Sequence, residues 1–234
     1  MKKYILIHGG SHGKWCWERC IAELEARGHQ AFALDLPGHG LDSTPRNEVD
    51  LNSYVDAVLD FLKQHQNDQF TLVGHSLAGI TLPEVAIRAQ AQVEELIFIA
   101  AIVLQAGERA IDFIPENRRP VYFELAKTSD DNSFMATPEM ARNIFFHDLS
   151  EDEANHYYSL LTPQPLGVYL DAARVALSEL PQPKSFILCK EDRAFSRDAY
   201  IKFSERLGGQ HREIDSGHDV MLSNPKKLVE ILVE

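Results

Sequence analysis

The chain has 234 residues, 44% hydrophobic and 25% charged, with 23 Lys and Arg against 35 Asp and Glu for a formal net charge of −12. That length fits one sizeable α/β domain with a well-buried core. The charge argues against a nucleic-acid partner and against an anionic membrane surface, because both need clustered Lys and Arg. Cys16, Cys20 and Cys189 make no disulfide framework and read as packed thiols; no further Cys or His spacing supports a metal beside Cys16 and Cys20. Met1-Lys-Lys-Tyr-Ile-Leu-Ile-His8 runs straight into a strand, with no signal-peptide core and no apolar run long enough to span a membrane. A cytoplasmic location is the default expectation.

Strands and helices alternate from the start. The pattern predicts a strand over Tyr4–His8, a helix over Trp15–Arg27 stopped by Gly28, and a strand over Gln30–Asp35. The amphipathic run Leu51–Gln64 predicts a helix capped by Asp50 or Asn52. Strands at Gln69–Val73 and Glu94–Ala101 flank a further helix over 77–90, in spite of Pro83. From about residue 105 to 180 no strong strand is visible. That stretch carries Phe113, Phe123, Phe134, Phe145, Phe146, Tyr157 and Tyr158, with helix starts at Pro138 and Ser150. Alternation resumes at Ser185–Cys189, Ala199–Leu207, Gln210–Ile214 and Pro225–Val233. The expected fold is therefore α/β, a mostly parallel doubly wound sheet built from 1–104 and 181–234, with a helical cap inserted over 105–180.

Gly74-His75-Ser76-Leu77-Ala78-Gly79 lies between a predicted strand and a predicted helix. This is the setting of a nucleophile elbow, a sharp turn that holds a serine exposed at the end of a strand. The strict pattern places glycine at position 78; Ala78 stands there, small enough for the close approach of strand and helix, and Gly79 follows. A serine hydroxyl needs a base to take its proton and a third group to hold that base. With an elbow the chain order is Ser, then Asp or Glu, then His. Of the histidines in the C-terminal core, His211 falls inside a predicted strand, whereas His218 sits in a loop beyond the last strand, where ligand sites form in open α/β sheets. Glu191 and Asp192 follow the penultimate strand and are the candidate acids, with Asp192 preferred; Asp215 and Asp219 are too close in sequence to His218. Two backbone N–H groups should form an oxyanion hole, from Leu77 and from the His8-Gly9-Gly10-Ser11 loop, with Gly10 as the second donor. His8, His39 and His75 read as structural.

These stretches resemble the α/β-hydrolase superfamily, and in detail the plant methylesterases and the hydroxynitrile lyases related to them. The matching runs are Leu6–Trp17, Gly28-His29, Ala33–Gly40, Leu72–Gly79, Glu191–Arg193 and Gly217-His218, with the cap similar around Phe146–Ala154 and Leu161–Pro163. The resemblance implies an α/β-hydrolase fold and a triad of Ser76, Asp192 and His218. The lyases differ from the esterases by a threonine in the first oxyanion loop and a lysine after the histidine; Gly9 and Asp219 stand there. A carboxylate at 219 is expected to repel a developing cyanide, and it departs from the apolar residue usual in the methylesterases.

The expected activity is serine hydrolysis of a small to medium, fairly apolar carboxylic ester through an acyl-enzyme. It needs no cofactor and no metal. Substrate contacts are expected from Gly9, His12, Phe113 and Phe123, although most cap aromatics also serve as packing. Methyl, aryl, lactone and pyrethroid-like esters stay open. So does a homodimer, since a cap either shields a site or forms an interface. The alternatives are lyase chemistry and a non-catalytic ligand receptor on the same scaffold.

Overall fold

The computed structural model describes residues 1–234. Six parallel strands form the main sheet in the order β2-β1-β3-β4-β7-β8, with β1 Lys3–Ile7, β2 Gln30–Leu34, β3 Phe70–His75, β4 Val93–Ile99, β7 Lys184–Cys189 and β8 His211–Ile214. Between β4 and β7 a two-residue antiparallel ladder pairs β5 (Ser133–Phe134) with β6 (Gln164–Pro165). Sequence reading saw no strand there, because two residues are too few to show a period.

Strand β3 is buried along its whole length, as expected of a central parallel strand covered on both faces. Helix α1 (Glu18–Ala26) packs against the C-terminal helix α10 (Pro225–Val233), and α2 (Leu51–Gln64) packs against α3 (Thr81–Arg88). Right-handed crossovers from a strand order that reverses at β1 put these two pairs on opposite faces. Leu51, Tyr54, Val55, Val58, Leu59 and Leu62 recur at helical spacing and form the buried stripe of α2. Asp50, not Asn52, caps that helix: its carboxylate accepts from the Ser53 N–H at 2.8 Å.

Pro83 is accommodated by a change of helix type. Ser76–Ile80 forms a 3₁₀ helix, and α3 starts afresh at Thr81. Pro83 then falls in the first turn, where its missing N–H has no intrahelical partner to lose.

The chain between β4 and β7 adds α4 (Arg119–Thr128), α5 (Pro138–Ile144), α6 (Glu151–Leu160) and α7 (Gly167–Leu170). Ser150 caps α6 with a capping box to Glu153. Glu84, buried on α3, accepts from the Arg174 N–H at 2.7 Å and the Val175 N–H at 3.2 Å, which ties the end of this segment to the helix behind the elbow. Helices α8 (Arg197–Glu205) and α9 (Val220–Ser223) complete the chain. No helix is long and apolar enough to cross a membrane. All three cysteines are buried and free, and burial pushes the thiols up, that of Cys20 to about 12.

Candidate active site

The sheet order reverses between β1 and β3, and Ile7 pairs with Gly74 at their carboxyl ends. Crevices at such a reversal are where open α/β sheets bind ligands. The loops that leave β1, β3, β7 and β8 at this end carry the candidate residues.

Ser76 adopts φ of 53°, a left-handed conformation that non-glycine residues seldom take. The Ile102 N–H donates to the Ser76 carbonyl at 3.0 Å and pins the turn. A Cβ at Gly74 would lie 2.9 Å from Leu82, and one at Gly79 only 2.3 Å from the Ile102 carbonyl oxygen. The position that requires glycine after the serine is therefore 79, and the Ala78 methyl is accommodated in the core.

Ser76 Oγ lies 2.9 Å from His218 Nε2, and His218 Nδ1 lies 2.6 Å from Asp192 Oδ2. Asp192 is itself held: Oδ1 accepts from the Ala194 N–H at 2.7 Å and Oδ2 from the Tyr200 hydroxyl at 2.8 Å. Burial alone would lower the pKa of His218, but the charge and hydrogen bond of Asp192, with Asp219 and Asp148 beyond, leave it net above the ordinary value. Gly217 N–H donates to Asp148 Oδ2 at 2.7 Å, so a residue between β4 and β7 anchors the loop that carries His218. Phe145 stacks on the His218 ring with centroids 5.7 Å apart.

The Gly9–Ser11 loop is fixed at each peptide. His8 Nδ1 donates to the Gly9 carbonyl at 2.8 Å, while its Nε2 accepts from the Leu36 N–H at 3.1 Å. Burial lowers the His8 pKa to about 4, so the ring is neutral with its proton on Nδ1. Ser11 N–H donates to Gln164 Oε1 at 3.1 Å, and the Ser11 carbonyl accepts from the Thr162 N–H at 2.8 Å. His39 bonds Thr162 Oγ1 and the Tyr54 hydroxyl at 2.8 and 2.7 Å. The Gly10 N–H has no acceptor within the protein. Leu77 N–H lies in the first turn of the 3₁₀ helix, where no intrahelical acceptor exists. A Cβ at Gly9 would sit 2.8 Å from Ser76 Cβ, so only glycine allows the loop this close to the elbow.

Ser76, His218, Gly10 and His12 open into one cavity whose apolar wall comes mainly from the segment between β4 and β7, including Tyr122, Leu125, Phe134, Phe145 and Tyr169. Two expected substrate contacts are not there. Phe113 packs instead on Phe203, with Arg206 over its ring, and Phe123 is 42% exposed. The helical phase of α4 turns Tyr122 and Leu125 inward and Phe123 outward. Gly9 acts by its closeness to Ser76 rather than as cavity wall. Asp219, expected to present a repelling charge, is fully buried, absent from the cavity wall, and bonded through Oδ2 to His12 Nε2 at 2.9 Å. Sequence reading missed that contact, Tyr200 and Asp148.

His75, His218 and Asp219 place one donor atom each within 4.8 Å of one another. Both His218 nitrogens are engaged by Asp192 and Ser76, and His75 Nε2 by the His218 carbonyl at 3.0 Å. A cation there would have to break the Ser76–His218–Asp192 chain.

A model of the alpha/beta hydrolase family matches residues 4–231, and the chain belongs to that family. Its curated relatives include methylesterases of Arabidopsis thaliana. Methylesterase 17 is 26% identical over 249 residues, covering 99% of this chain and 90% of the relative. Methylesterase 18 is 25% identical over 260 residues, covering 99% and 95%. Among solved structures, an extracellular alpha/beta-hydrolase from a Paenibacillus species, described as sharing structural and functional homology with tobacco salicylic acid binding protein 2, superposes with a TM-score of 0.93 at 24% identity, covering 100% of this chain and 98% of the other. A pyrethroid hydrolase from Sphingobium faniae superposes with a TM-score of 0.83 at 23% identity, covering 99% and 96%.

Proposed function

We propose that the protein hydrolyses a carboxylic ester through an acyl-enzyme on Ser76. The observation that carries this reading is the continuous hydrogen-bonded chain from Ser76 Oγ through His218 to Asp192, at 2.9 and 2.6 Å, beside N–H groups of Gly10 and Leu77 that lack protein acceptors. His218 Nε2 takes the Ser76 proton as Oγ attacks the ester carbonyl carbon. The Gly10 and Leu77 N–H groups hold the oxyanion that forms. The carbon–oxygen bond to the alcohol breaks, and the alcohol leaves with the proton from His218. Water, deprotonated by His218, then cleaves the acyl-enzyme; the acid departs and Ser76 regains its proton. Asp192 orients His218 and offsets its transient charge.

The mainly apolar wall favours a small to medium, fairly apolar ester, and the methylesterase relatives favour a methyl ester. The lyase reading lacks support, since neither its threonine nor its lysine is present at Gly9 or Asp219. The test is turnover of a chromogenic short-chain ester and of a methyl ester panel by wild type and Ser76→Ala. Turnover by wild type alone, with fluorophosphonate labelling of Ser76, is the expected result. Equal turnover by both proteins would sink the mechanism, and stoichiometric binding without turnover or labelling would favour a receptor.

A further inference from the structure

We propose that His12 is a buried imidazolium paired with Asp219, and that this ion pair is a positioning device that locks the Gly10 loop to the loop carrying His218. The kinetic part of this proposal rests on the esterase reading above; the charge assignment does not.

The assignment comes from hydrogen-bond bookkeeping. His12 Nδ1 lies 2.8 Å from the Gly10 carbonyl oxygen, and Nε2 lies 2.9 Å from Asp219 Oδ2. A carbonyl only accepts, so Nδ1 carries a proton. A neutral imidazole has one N–H, which would leave the Nε2 lone pair facing a carboxylate oxygen. The contact requires one more proton, on His12 or on Asp219. The surroundings assign it to His12. His75 Nε2 stands 3.7 Å from Asp219 Oδ1, and His218 is the next residue in the chain. Burial alone would raise the Asp219 carboxyl, yet His12, then His75 and His218, hold it net below the ordinary range. Trp15 stacks on the His12 ring with centroids 5.4 Å apart and planes 26° apart, a placement that favours a cation.

The titratable groups around the pair are His8, His39, His75, His218, Cys16, Cys189 and Tyr200. Burial lowers the pKa of His8, His39 and His75, and it keeps the Cys16 thiol protonated. Among the imidazoles packed round this loop, His12 is thus the one whose contacts demand a charge, and Asp219 balances it. Both are almost fully excluded from solvent, at 1% and 0% exposure, where an ion pair persists only if each member is well bonded. The two loops it joins leave opposite parts of the sheet, β1 and β8, and lie 207 residues apart in sequence. One charge-assisted bond therefore sets the distance between the Gly10 donor and the His218 base.

Ring ¹⁵N spectra of histidine-labelled wild type, with His12 assigned by loss of its signal in His12→Gln, test the charge directly. The expected result is an imidazolium pattern for His12, with both ring nitrogens protonated. A single neutral tautomer there would overturn the proposal, whether or not the protein turns over esters. For the kinetic part, Asp219→Asn and His12→Gln should each lower kcat by about tenfold, a part of what loss of an oxyanion donor costs, with KM nearly unchanged. The double variant should lose no more than either single one, because the two residues act as one device. Additive losses, or losses confined to KM, would overturn the positioning role. Wild type that neither turns over an ester nor labels with a fluorophosphonate would instead refute the esterase reading.

Discussion

The His8 ring donates to the Gly9 carbonyl at 2.8 Å, and that carbonyl shares a peptide plane with the Gly10 N–H. In a trans peptide the C=O and N–H point in opposite directions, so anchoring one aims the other. A carbonyl that accepts a hydrogen bond also polarises its own N–H into a better donor. His8→Ala should therefore lower kcat by roughly tenfold, less than the ~10²–10³ lost when such a donor is removed outright. His8→Asn, which can still donate to the carbonyl, should recover part of the loss. Steady-state kinetics on the three proteins checks this.

The pKa of His218 is raised, so its acid limb should sit above the ordinary histidine value. As a base it must be neutral, so kcat/KM should fall as pH drops through that raised pKa. Stability runs the opposite way: the attraction of Asp192 for the charged ring is present at low pH and is lost as pH rises through the folded-state value. Asp192→Asn should move the acid limb down while cutting kcat. A pH–rate profile of both proteins gives the answer; an unmoved limb would contradict the assignment.

Gly79→Ala should destabilise the fold by about 1–3 kcal/mol, because its methyl would meet the Ile102 carbonyl at 2.3 Å. Ala78→Gly, one residue earlier, should cost only about 0.5–1 kcal/mol through backbone entropy. Urea unfolding midpoints would separate the two.

Asp148→Ala should cost about 1–3 kcal/mol and lower kcat, since the Gly217 N–H loses its buried acceptor and the His218 loop loosens. Gly217→Ala should do likewise from the other side, its methyl reaching 2.7 Å from Asp148. Unchanged kcat in both variants would show that the anchor is irrelevant to the base.

On α4, Tyr122→Ala should raise KM for apolar esters, whereas Phe123→Ser should change stability by no more than about 0.5 kcal/mol and leave KM alone. A reversed pattern in a KM survey would mean that the inward face of the helix has been misplaced.

The sheet, the elbow and the Ser76–His218–Asp192 contacts were legible because each depends on local signals: apolar runs, a strand–turn–helix frame and loops that follow strands. Phe123 lies off the cavity although expected there: α4 is only weakly amphipathic, so its sequence does not tell which face turns inward, while Phe113 belongs to the turn Ala110–Phe113 before α4 and packs on Phe203. The His12–Asp219 contact was invisible because no local pattern links residues 207 apart. Asp219 then read as a bare charge. The glycine requirement at 79 rather than 78 depends on the approach of the Ile102 carbonyl, which enters only with tertiary packing.

The wall of the cavity and the groups proposed to act on substrate come from separate stretches of chain. Residues between β4 and β7 supply most of the apolar lining and none of Ser76, Asp192 or His218. Exchanging that stretch for a foreign one is therefore a route to new ester preferences with the reactive groups left in place. The graft would have to keep Asp148, Thr162 and Gln164, the three side chains or backbone groups through which the stretch steadies the His218 and Gly10 loops.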